Sequence, residues 1–172
     1  MITEDYLKQE DKEFFKNNIL KDHYFPWYAQ KTSWTRQGNE IDDDLLTHVL
    51  LKRKEERSET QKYNSPMAEN VEHIIKKYIG KKKILRMCFN FTYDNGREKT
   101  GIHKDHPYKY SQFILYLTDN FKKGETVILN ESKKIIKKVK PKQYKFVTFE
   151  DNYHYNYFPV GGKRIVLIAT YK

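Results

Sequence analysis

The sequence has little cysteine and no long hydrophobic run. Its single cysteine, Cys88, excludes an internal disulfide bond, and its place in the apolar run from Ile84 to Phe91 predicts a buried, unreactive thiol. No apolar stretch approaches the roughly 18 residues of a membrane-spanning helix, and the acidic N-terminus has no apolar signal region. We therefore expect a soluble, cytoplasmic protein that is not secreted and has no membrane partner.

The charged residues are abundant and unbalanced. Lys and Arg number 33 against 23 Asp and Glu, which gives a formal net charge of +10. Such a charge would attract an anionic small molecule, an acidic protein or a nucleic acid. Lysine is scattered along nearly the whole chain, whereas nucleic-acid-binding proteins usually concentrate it in a stripe or an arm. We interpret most of the charge as solvated surface and keep nucleic acid as an alternative partner.

The 172 residues fit a single domain whose hydrophobic pattern changes near residue 80. Residues 1–80 have mainly helical spacing, and we predict that they form a helical support region. Within this region Thr3 is a candidate N-cap, Gly80 a candidate helix stop, and Tyr24–Tyr28 a loop or short edge strand. The helical segments are expected at Tyr6–Leu20, Ile41–Leu51 and Met67–Ile79.

Residues 81–172 have strand-like spacing up to the end of the sequence. About eight short β-type runs are separated by turn sequences such as Asp-Asn-Gly and Gly-Gly. Such a series predicts a sandwich or jelly roll. The expected fold class is therefore mainly β with α, a jelly-roll core flanked by N-terminal helices. The predicted strands are Ile84–Tyr93, Gly101–Lys104, Gln112–Leu117, Thr126–Leu129, Ile135–Val139, Lys145–Phe149, Tyr153–Tyr157 and Arg164–Tyr171.

Two potential metal ligands alternate in the segment His103-Lys104-Asp105. At strand-like spacing both side chains leave the same face of the chain. His154 follows a strand-like run and a turn, in a context that would bring it beside the first pair. Two imidazoles and one carboxylate on one side of a metal leave open positions opposite, which suits non-haem Fe(II) activating O₂. Because H-x-D often occurs by chance, a solvated turn is the alternative interpretation.

From about Ile84 to Lys172 the sequence resembles the Fe(II)/2-oxoglutarate-dependent oxygenases, and within them the prolyl 4-hydroxylase-like branch. The resemblance rests on the H-x-D…H pattern, on Gly161-Gly162-Lys163-Arg164, and on the final apolar strand Ile165–Tyr171. It implies that residues 81–172 form a double-stranded β-helix, the jelly roll of these enzymes, as the catalytic core.

The resemblance also implies a ligand set and two cosubstrates. Fe(II) would be bound by His103, Asp105 and His154, with 2-oxoglutarate and O₂ as cosubstrates. Arg164, ten residues after His154, would pair with the distal carboxylate of 2-oxoglutarate. A guanidinium suits this role because its planar fork binds a carboxylate through two hydrogen bonds.

Two tyrosines complete the cosubstrate pocket that the resemblance implies. Tyr116 takes the position of a family tyrosine on the strand after H-x-D, whose hydroxyl helps to hold the same distal carboxylate. Tyr93, ten residues before His103, resembles a second aromatic residue that lines the pocket, with a register different by one residue left open. For either tyrosine, an ordinary place in the core is the alternative.

The implied reaction is hydroxylation of a C–H bond, coupled to conversion of 2-oxoglutarate into succinate and CO₂. Branch similarity favours a prolyl residue in a protein or peptide as the substrate. Tyr24–Tyr28 with Trp34 is either an aromatic wall for an extended peptide or part of the core. The Phe-Pro-Trp-Tyr stretch also resembles small phage-type oxygenases, which leaves the substrate open. His106 is assigned to the surface or core, with substrate contact at the pocket mouth as the alternative.

Two other classes of function stay open. The first is an oxygenase that acts on nucleic acid or on a small molecule, which the net charge of +10 encourages. Nucleic-acid demethylases of this superfamily carry a further Arg six residues after the cosubstrate Arg, however, and this sequence has Thr170 there. The second is a non-enzymatic nucleic-acid-binding or cupin-like β module, whose affinity for nucleic acid would fall steeply with salt.

Overall fold

The structure, a computed structural model, describes residues 1–33, 42–54 and 63–172. In this part of the chain a large antiparallel sheet and two smaller sheets form the β core, and helices pack on the outside of the large sheet. The helices are α1 (Gln9–Phe15), which continues as a π-helical segment (Lys16–Leu20), and α2 (Ala68–Ile79). The strands are β1 (Ile2–Tyr6), β2 (Tyr28–Ser33), β3 (Asp42–Leu51), β4 (Ile84–Tyr93), β5 (Ser111–Tyr116), β6 (Lys122–Lys123), β7 (Thr126–Leu129), β8 (Ile135–Val139), β9 (Lys145–Glu150), β10 (Tyr153–Asn156), β11 (Pro159–Val160) and β12 (Lys163–Tyr171).

Helix α2 follows from the spacing of its apolar residues. Val71, Ile74 and Ile75 fall on one face of the helix and are buried. Gly80 ends the helix with a φ of 76°, a left-handed conformation that glycine adopts without a steric penalty. The helix predicted at Met67–Ile79 is therefore confirmed. Within the described ranges, no helix is long and apolar enough to cross a membrane.

The strands form the expected jelly-roll core. Seven of them make the large sheet in the order β1-β9-β5-β12-β4-β3-β2, and every neighbouring pair is antiparallel. The order β10-β7-β8 makes a three-stranded sheet, and β11 pairs with β6. Seven of the eight predicted strands match β4, β5, β7, β8, β9, β10 and β12 to within one residue at either end.

The two faces of the large sheet bury different cores, because side chains alternate along each strand. Met87 and Phe89 of β4 pack in one cluster with the helix residues Phe15 and Ile75. Cys88 lies between them in the strand and faces the other way, into the core shared with β7 and β8. The thiol is fully buried there, as predicted. The inner face of the large sheet thus forms one wall of the space between the sheets.

The prediction of a mainly helical N-terminal region is wrong for two segments. Thr3, the candidate N-cap, lies within β1 and pairs with β9, while Ile41–Leu51 contains β3, which pairs with β2 and β4. Residues 45–51 are all buried or partly buried, because both faces of β3 are covered. Their apolar side chains therefore do not alternate with polar ones, and the spacing of the run resembles that of a helix. The division of the chain at residue 80 stays a prediction.

The strand predicted at Gly101–Lys104 is also wrong. His103 forms an isolated bridge there, and a second, separate bridge is formed at Lys99. Gly101 lies between the two bridges, and a glycine weakens a strand because it has no side chain to pack. The segment that carries two candidate ligands is therefore a loop that is paired at His103.

The aromatic segment Tyr24–Tyr28 belongs partly to the core. The ring centroid of Phe25 lies 4.8 Å from that of Trp27 and 5.8 Å from that of Phe89. Tyr24, in contrast, is 94% exposed. The core interpretation therefore applies to Phe25 and Trp27. Trp34, which was grouped with this segment, lies outside the described residues.

Phe89 joins the large sheet to the elements packed on it, which makes it a sensitive position for stability. Its ring is fully buried against those of Phe15 and Phe25. We expect Phe89→Ala to lower the free energy of unfolding by about 3–5 kcal/mol, because a cavity remains. Tyr24→Ala, the exposed control, should change it by less than about 0.5 kcal/mol. Urea denaturation measures both, and equal effects would contradict this packing.

Candidate metal centre

His103 and His154 are direct cross-strand neighbours, although they lie far apart in the sequence. The backbone N–H of each donates to the carbonyl oxygen of the other, and both hydrogen bonds are 3.0 Å long. Directly paired residues project their side chains from the same face of a ladder. The two imidazole ring centroids are accordingly 4.3 Å apart. Backbone pairing therefore brings together the two histidines that the sequence predicts as ligands.

Asp105 completes the cluster. One nitrogen of His103, one of His154 and one carboxylate oxygen of Asp105 all lie within 4.8 Å of one another. The backbone N–H of Asp105 donates to the hydroxyl of Tyr110 at 2.8 Å, which ties the loop to the start of β5. No sequence motif singles out Tyr110, because its contact is with a backbone group.

The donor atoms of the cluster fit a divalent metal ion. Nδ1–H of His103 donates to the carbonyl of Gly101 at 2.9 Å, and Nδ1–H of His154 to that of Asn152 at 3.5 Å. In these tautomers Nε2 of each ring carries the lone pair, as in most metal-binding histidines. Asp105 Oδ2 is buried without a hydrogen-bond partner among the described residues. A buried carboxylate oxygen of this kind is costly unless a cation satisfies it.

The surroundings of the cluster keep all three side chains deprotonated. Burial, with the neighbouring His103, lowers the pKa of His154 to about 4, and burial also lowers the pKa of His103. Burial opposes ionisation of Asp105, but attraction to His154 and Arg86 outweighs it and lowers the pKa of that carboxyl. At neutral pH the cluster therefore presents two neutral imidazoles and a carboxylate, the states that metal binding requires.

The cluster opens on a cavity between the sheets. About 500 Å³ of empty space lies between its walls and in the open solvent at its mouth. Its walls combine apolar side chains with two arginines, so it suits a ligand that is anionic at one end and apolar elsewhere. Besides the three candidate ligands, its lining includes Arg86, Asn90, Ile114, Asn156, Arg164 and Ile168.

Arg164 is buried in the wall of this cavity and is held by neutral groups. Its Nε donates to the Gly124 carbonyl at 3.0 Å, and its Nη2 donates to Thr126 at 3.1 Å and Asn156 at 2.9 Å. The guanidinium carbon lies 5.5 Å from the centroid of the Tyr116 ring, and the Tyr116 hydroxyl donates to Thr126 at 2.7 Å. Arg164 and Tyr116 are thus brought together. No role was predicted for Thr126 or Asn156 from the sequence, although Asn156 follows His154 by two residues on the same strand face.

The structure does not bring Tyr93 to the cavity. It is 40% exposed and packs on Phe91, on the face of β4 that is turned toward the helices. Asn90 and Thr92 line the cavity instead, from the opposite face of the same strand. A register shift of one residue puts every side chain of a strand on the opposite face. The register left open in the sequence therefore decides whether Tyr93 or its neighbour Thr92 lines the cavity, and Thr92 does.

His106 lies in the core rather than at the mouth of the cavity. It is buried, its Nε2 lies 2.8 Å from the Thr170 hydroxyl, and its ring stacks on Tyr108 with centroids 4.9 Å apart. His48 is also a core residue, bonded to the Pro26 carbonyl at 2.9 Å and the Ser65 hydroxyl at 2.8 Å. For His106, predicted at the surface or in the core, the structure shows the core.

No family model matches the chain, and no curated protein matches it. Solved structures do match. An oxidoreductase of the 2OG-Fe(II) oxygenase family from Burkholderia pseudomallei aligns with a TM-score of 0.74 and 14% identity, over 99% of this chain and 84% of its own. This chain has the oxygenase fold. The family resemblance predicted from the H-x-D…H pattern is thus confirmed at the level of the fold.

Two further oxygenase structures are similar to the chain. A prolyl hydroxylase from Trichoplax adhaerens, in complex with a hypoxia inducible factor oxygen degradation domain peptide fragment, aligns with a TM-score of 0.66 and 12% identity, over 99% of this chain and 82% of its own. A viral collagen prolyl hydroxylase from Paramecium Bursaria Chlorella virus-1, in a 2OG complex, aligns with a TM-score of 0.58 and 11% identity, over 99% of this chain and 94% of its own.

The low pKa of His154 should make the stability of the metal-free protein depend on pH. In the unfolded chain this imidazole takes up a proton near its ordinary pKa of 6.5, whereas in the folded protein it does so only near 4. The free energy of unfolding should therefore fall as the pH drops from 6.5 towards 4. His154→Gln should lose less stability over that range. Urea denaturation at pH 7 and pH 4.5 tests this, and an identical loss in both proteins would contradict it.

Proposed function

We propose that this protein is an Fe(II)- and 2-oxoglutarate-dependent dioxygenase that hydroxylates a C–H bond. The observation that carries the proposal is that the cluster of His103, Asp105 and His154 shares one cavity with the buried Arg164. A ligand that binds a metal ion at one end and carries a carboxylate for the guanidinium at the other would occupy both places. The oxygenase fold supports the same conclusion.

The metal ion would be held by Nε2 of His103, Nε2 of His154 and a carboxylate oxygen of Asp105. When bound, Fe(II) with O₂ and 2-oxoglutarate supplies the oxidising chemistry, in which 2-oxoglutarate becomes succinate and CO₂ and the substrate gains a hydroxyl group. The protein's own contribution is to orient these groups. Gly101 and Asn152 fix the two ring tautomers, while Tyr110 holds the Asp105 backbone.

Arg164 would bind the distal carboxylate of 2-oxoglutarate. Among the described residues its hydrogen-bond acceptors are the neutral oxygens of Gly124, Thr126 and Asn156, and no carboxylate pairs with it. A buried guanidinium without a counter-charge is costly. An anionic ligand would remove that cost, and the three hydrogen bonds use only Nε and Nη2 of the guanidinium. Tyr116, beside the same guanidinium, would contribute its hydroxyl.

A prolyl residue in a protein or peptide is the substrate that we favour. Two structures similar to this chain are of prolyl hydroxylases, and one of these binds a peptide. The cavity also has the apolar surface that a pyrrolidine ring needs, since Leu45, Ile114 and Ile168 contribute to its lining. A small-molecule substrate of similar shape is the alternative, and turnover assays with peptides and free amino acids separate the two.

The metal and 2-oxoglutarate sites can be tested without knowing the substrate. Metal-free protein that receives Fe(II) and then 2-oxoglutarate without oxygen should develop the weak visible absorbance band of an iron-chelated 2-oxo acid. His154→Ala should lose the band because one of three ligands is gone. His73→Ala, at an exposed position on α2, should retain it. A folded wild-type protein that shows no band would exclude the proposed function.

Arg164 and its neighbour Lys163 form a matched pair for testing the carboxylate site. Lys163 is exposed on the opposite face of β12. Because charge-assisted hydrogen bonds contribute about 1.5–3 kcal/mol, Arg164→Gln should weaken 2-oxoglutarate binding roughly 10- to 100-fold. Mn(II) binding should change little, and Lys163→Gln should change neither. Titration of the 2-oxoglutarate band measures the first affinity. Equal effects of the two variants would remove Arg164 from the site.

A further inference from the structure

Asn156 lies in the wall of the cavity, between the candidate metal centre and Arg164. Its side chain leaves β10 on the same face as that of His154, two residues or about 7 Å away along the strand. Its Oδ1 accepts a hydrogen bond from Nη2 of Arg164 at 2.9 Å. No motif marks this asparagine in the sequence. In the structure it lies beside both places at which a ligand of the cavity would bind.

Arg164 determines which way the Asn156 carboxamide is turned. A guanidinium can only donate hydrogen bonds, so the atom that faces it must be the oxygen. The Thr126 hydroxyl lies 2.8 Å from the same Oδ1 and is again the donor, because that oxygen carries no hydrogen. Nδ2 of Asn156, with its two hydrogens, is therefore turned away from both groups.

The two N–H groups of this carboxamide are not used within the described part of the chain. Both hydrogen bonds of the Asn156 side chain to described residues end on Oδ1. Asn156 is only partly buried and lines the cavity. An N–H group without an acceptor is costly when it is fully buried but not when it faces open space. The Asn156 amide nitrogen is therefore available to a ligand in the cavity.

The hydrogens of Thr126 and Tyr116, in contrast, are already used. The Thr126 hydroxyl donates to Asn156, so the hydrogen in its 2.7 Å bond to Tyr116 must come from the tyrosine. Burial raises the pKa of Tyr116 despite the opposing charge of Arg164, and the hydroxyl keeps that hydrogen at neutral pH. Both side chains are fully buried and are not part of the described lining of the cavity. To donate to a ligand, Tyr116 must first release Thr126, whereas Asn156 gives up no bond.

An anion is the ligand that the Arg164 guanidinium and the Asn156 amide together favour. The guanidinium supplies positive charge, and an N–H donor beside it adds a further charge-assisted hydrogen bond to the same carboxylate. We propose that Nδ2 of Asn156 donates to the carboxylate that Arg164 binds, and so helps to select 2-oxoglutarate from 2-oxo acids that lack a distal carboxylate. This inference rests on the proposed function and adds a residue to its carboxylate site.

The first experiment measures selection between two acids of the same chain length. 2-Oxoglutarate and 2-oxopentanoate, which has a methyl group in place of the distal carboxylate, are titrated into the Fe(II) protein without oxygen. Asn156→Asp keeps an oxygen for Arg164 and Thr126 but replaces the N–H donor. It should weaken 2-oxoglutarate binding by at least roughly tenfold and 2-oxopentanoate binding by less than about twofold. Asn17→Asp, the same change at an exposed position, should alter neither.

The two acids also give the outcomes that would contradict this role. Equal weakening of both acids in Asn156→Asp, or no weakening of 2-oxoglutarate, would overturn the proposal. Wild-type protein that shows no absorbance band with 2-oxoglutarate would refute the proposed function instead.

The second experiment separates donation to the ligand from support of Arg164, because Asn156→Asp also places a negative charge beside the guanidinium. ¹⁵N-labelled wild-type protein is loaded with diamagnetic Zn(II), which accepts the same nitrogen and oxygen ligands. The side-chain N–H signals of Asn156 are those missing from the spectra of both Asn156→Asp and Asn156→Ser. They should move downfield when 2-oxoglutarate is added, since a hydrogen bond to a carboxylate deshields the proton, and should stay in place with 2-oxopentanoate. Unmoved signals at saturating 2-oxoglutarate, or equal shifts with both acids, would overturn the proposal.

Discussion

The candidate metal centre depends on two backbone hydrogen bonds, those that pair His103 with His154. A directly paired position in an antiparallel ladder sets the two Cβ atoms about 4.5–5.5 Å apart whatever the side chains are. The sheet itself therefore places two imidazoles side by side. Asp105 follows two residues later, and the Tyr110 hydroxyl holds its backbone so that the carboxylate reaches the same space. The loop also contributes the Gly101 carbonyl, which accepts a hydrogen bond from the His103 ring and fixes its tautomer.

The guanidinium of Arg164 is buried in the cavity wall, and among the described residues no carboxylate pairs with it. It is held instead by the neutral oxygens of Gly124, Thr126 and Asn156. This arrangement costs stability in the ligand-free protein, because water no longer solvates the guanidinium fully. An anion bound beside Arg164 would remove that cost. The apolar lining of the cavity makes the same interaction stronger by lowering the local dielectric constant.

The sequence allowed good predictions where short β-type runs are separated by turn sequences. In the second half of the chain that condition holds, and seven of eight strands were located correctly. The prediction fails at β3, where both faces of the strand are covered, the period of two disappears and a charged stretch rather than a turn sequence follows. It fails again at Tyr93, where a register one residue away exchanges the exposed and cavity-lining sets. In both cases the sequence does not show what each face of the strand packs against.

By itself the sequence determined the chemistry available to this protein: two histidines and an aspartate at the right spacing, an arginine ten residues after the second histidine, and strands to carry them. These are properties of residue type and local spacing, so a linear pattern contains them. Only the tertiary structure decided which further residues share the cavity. Asn156 and Arg86 line it from strands of two different sheets, and Thr126 of a further strand holds Arg164 in its wall. Strand order is set by the burial of the whole core, and no short stretch of sequence specifies it.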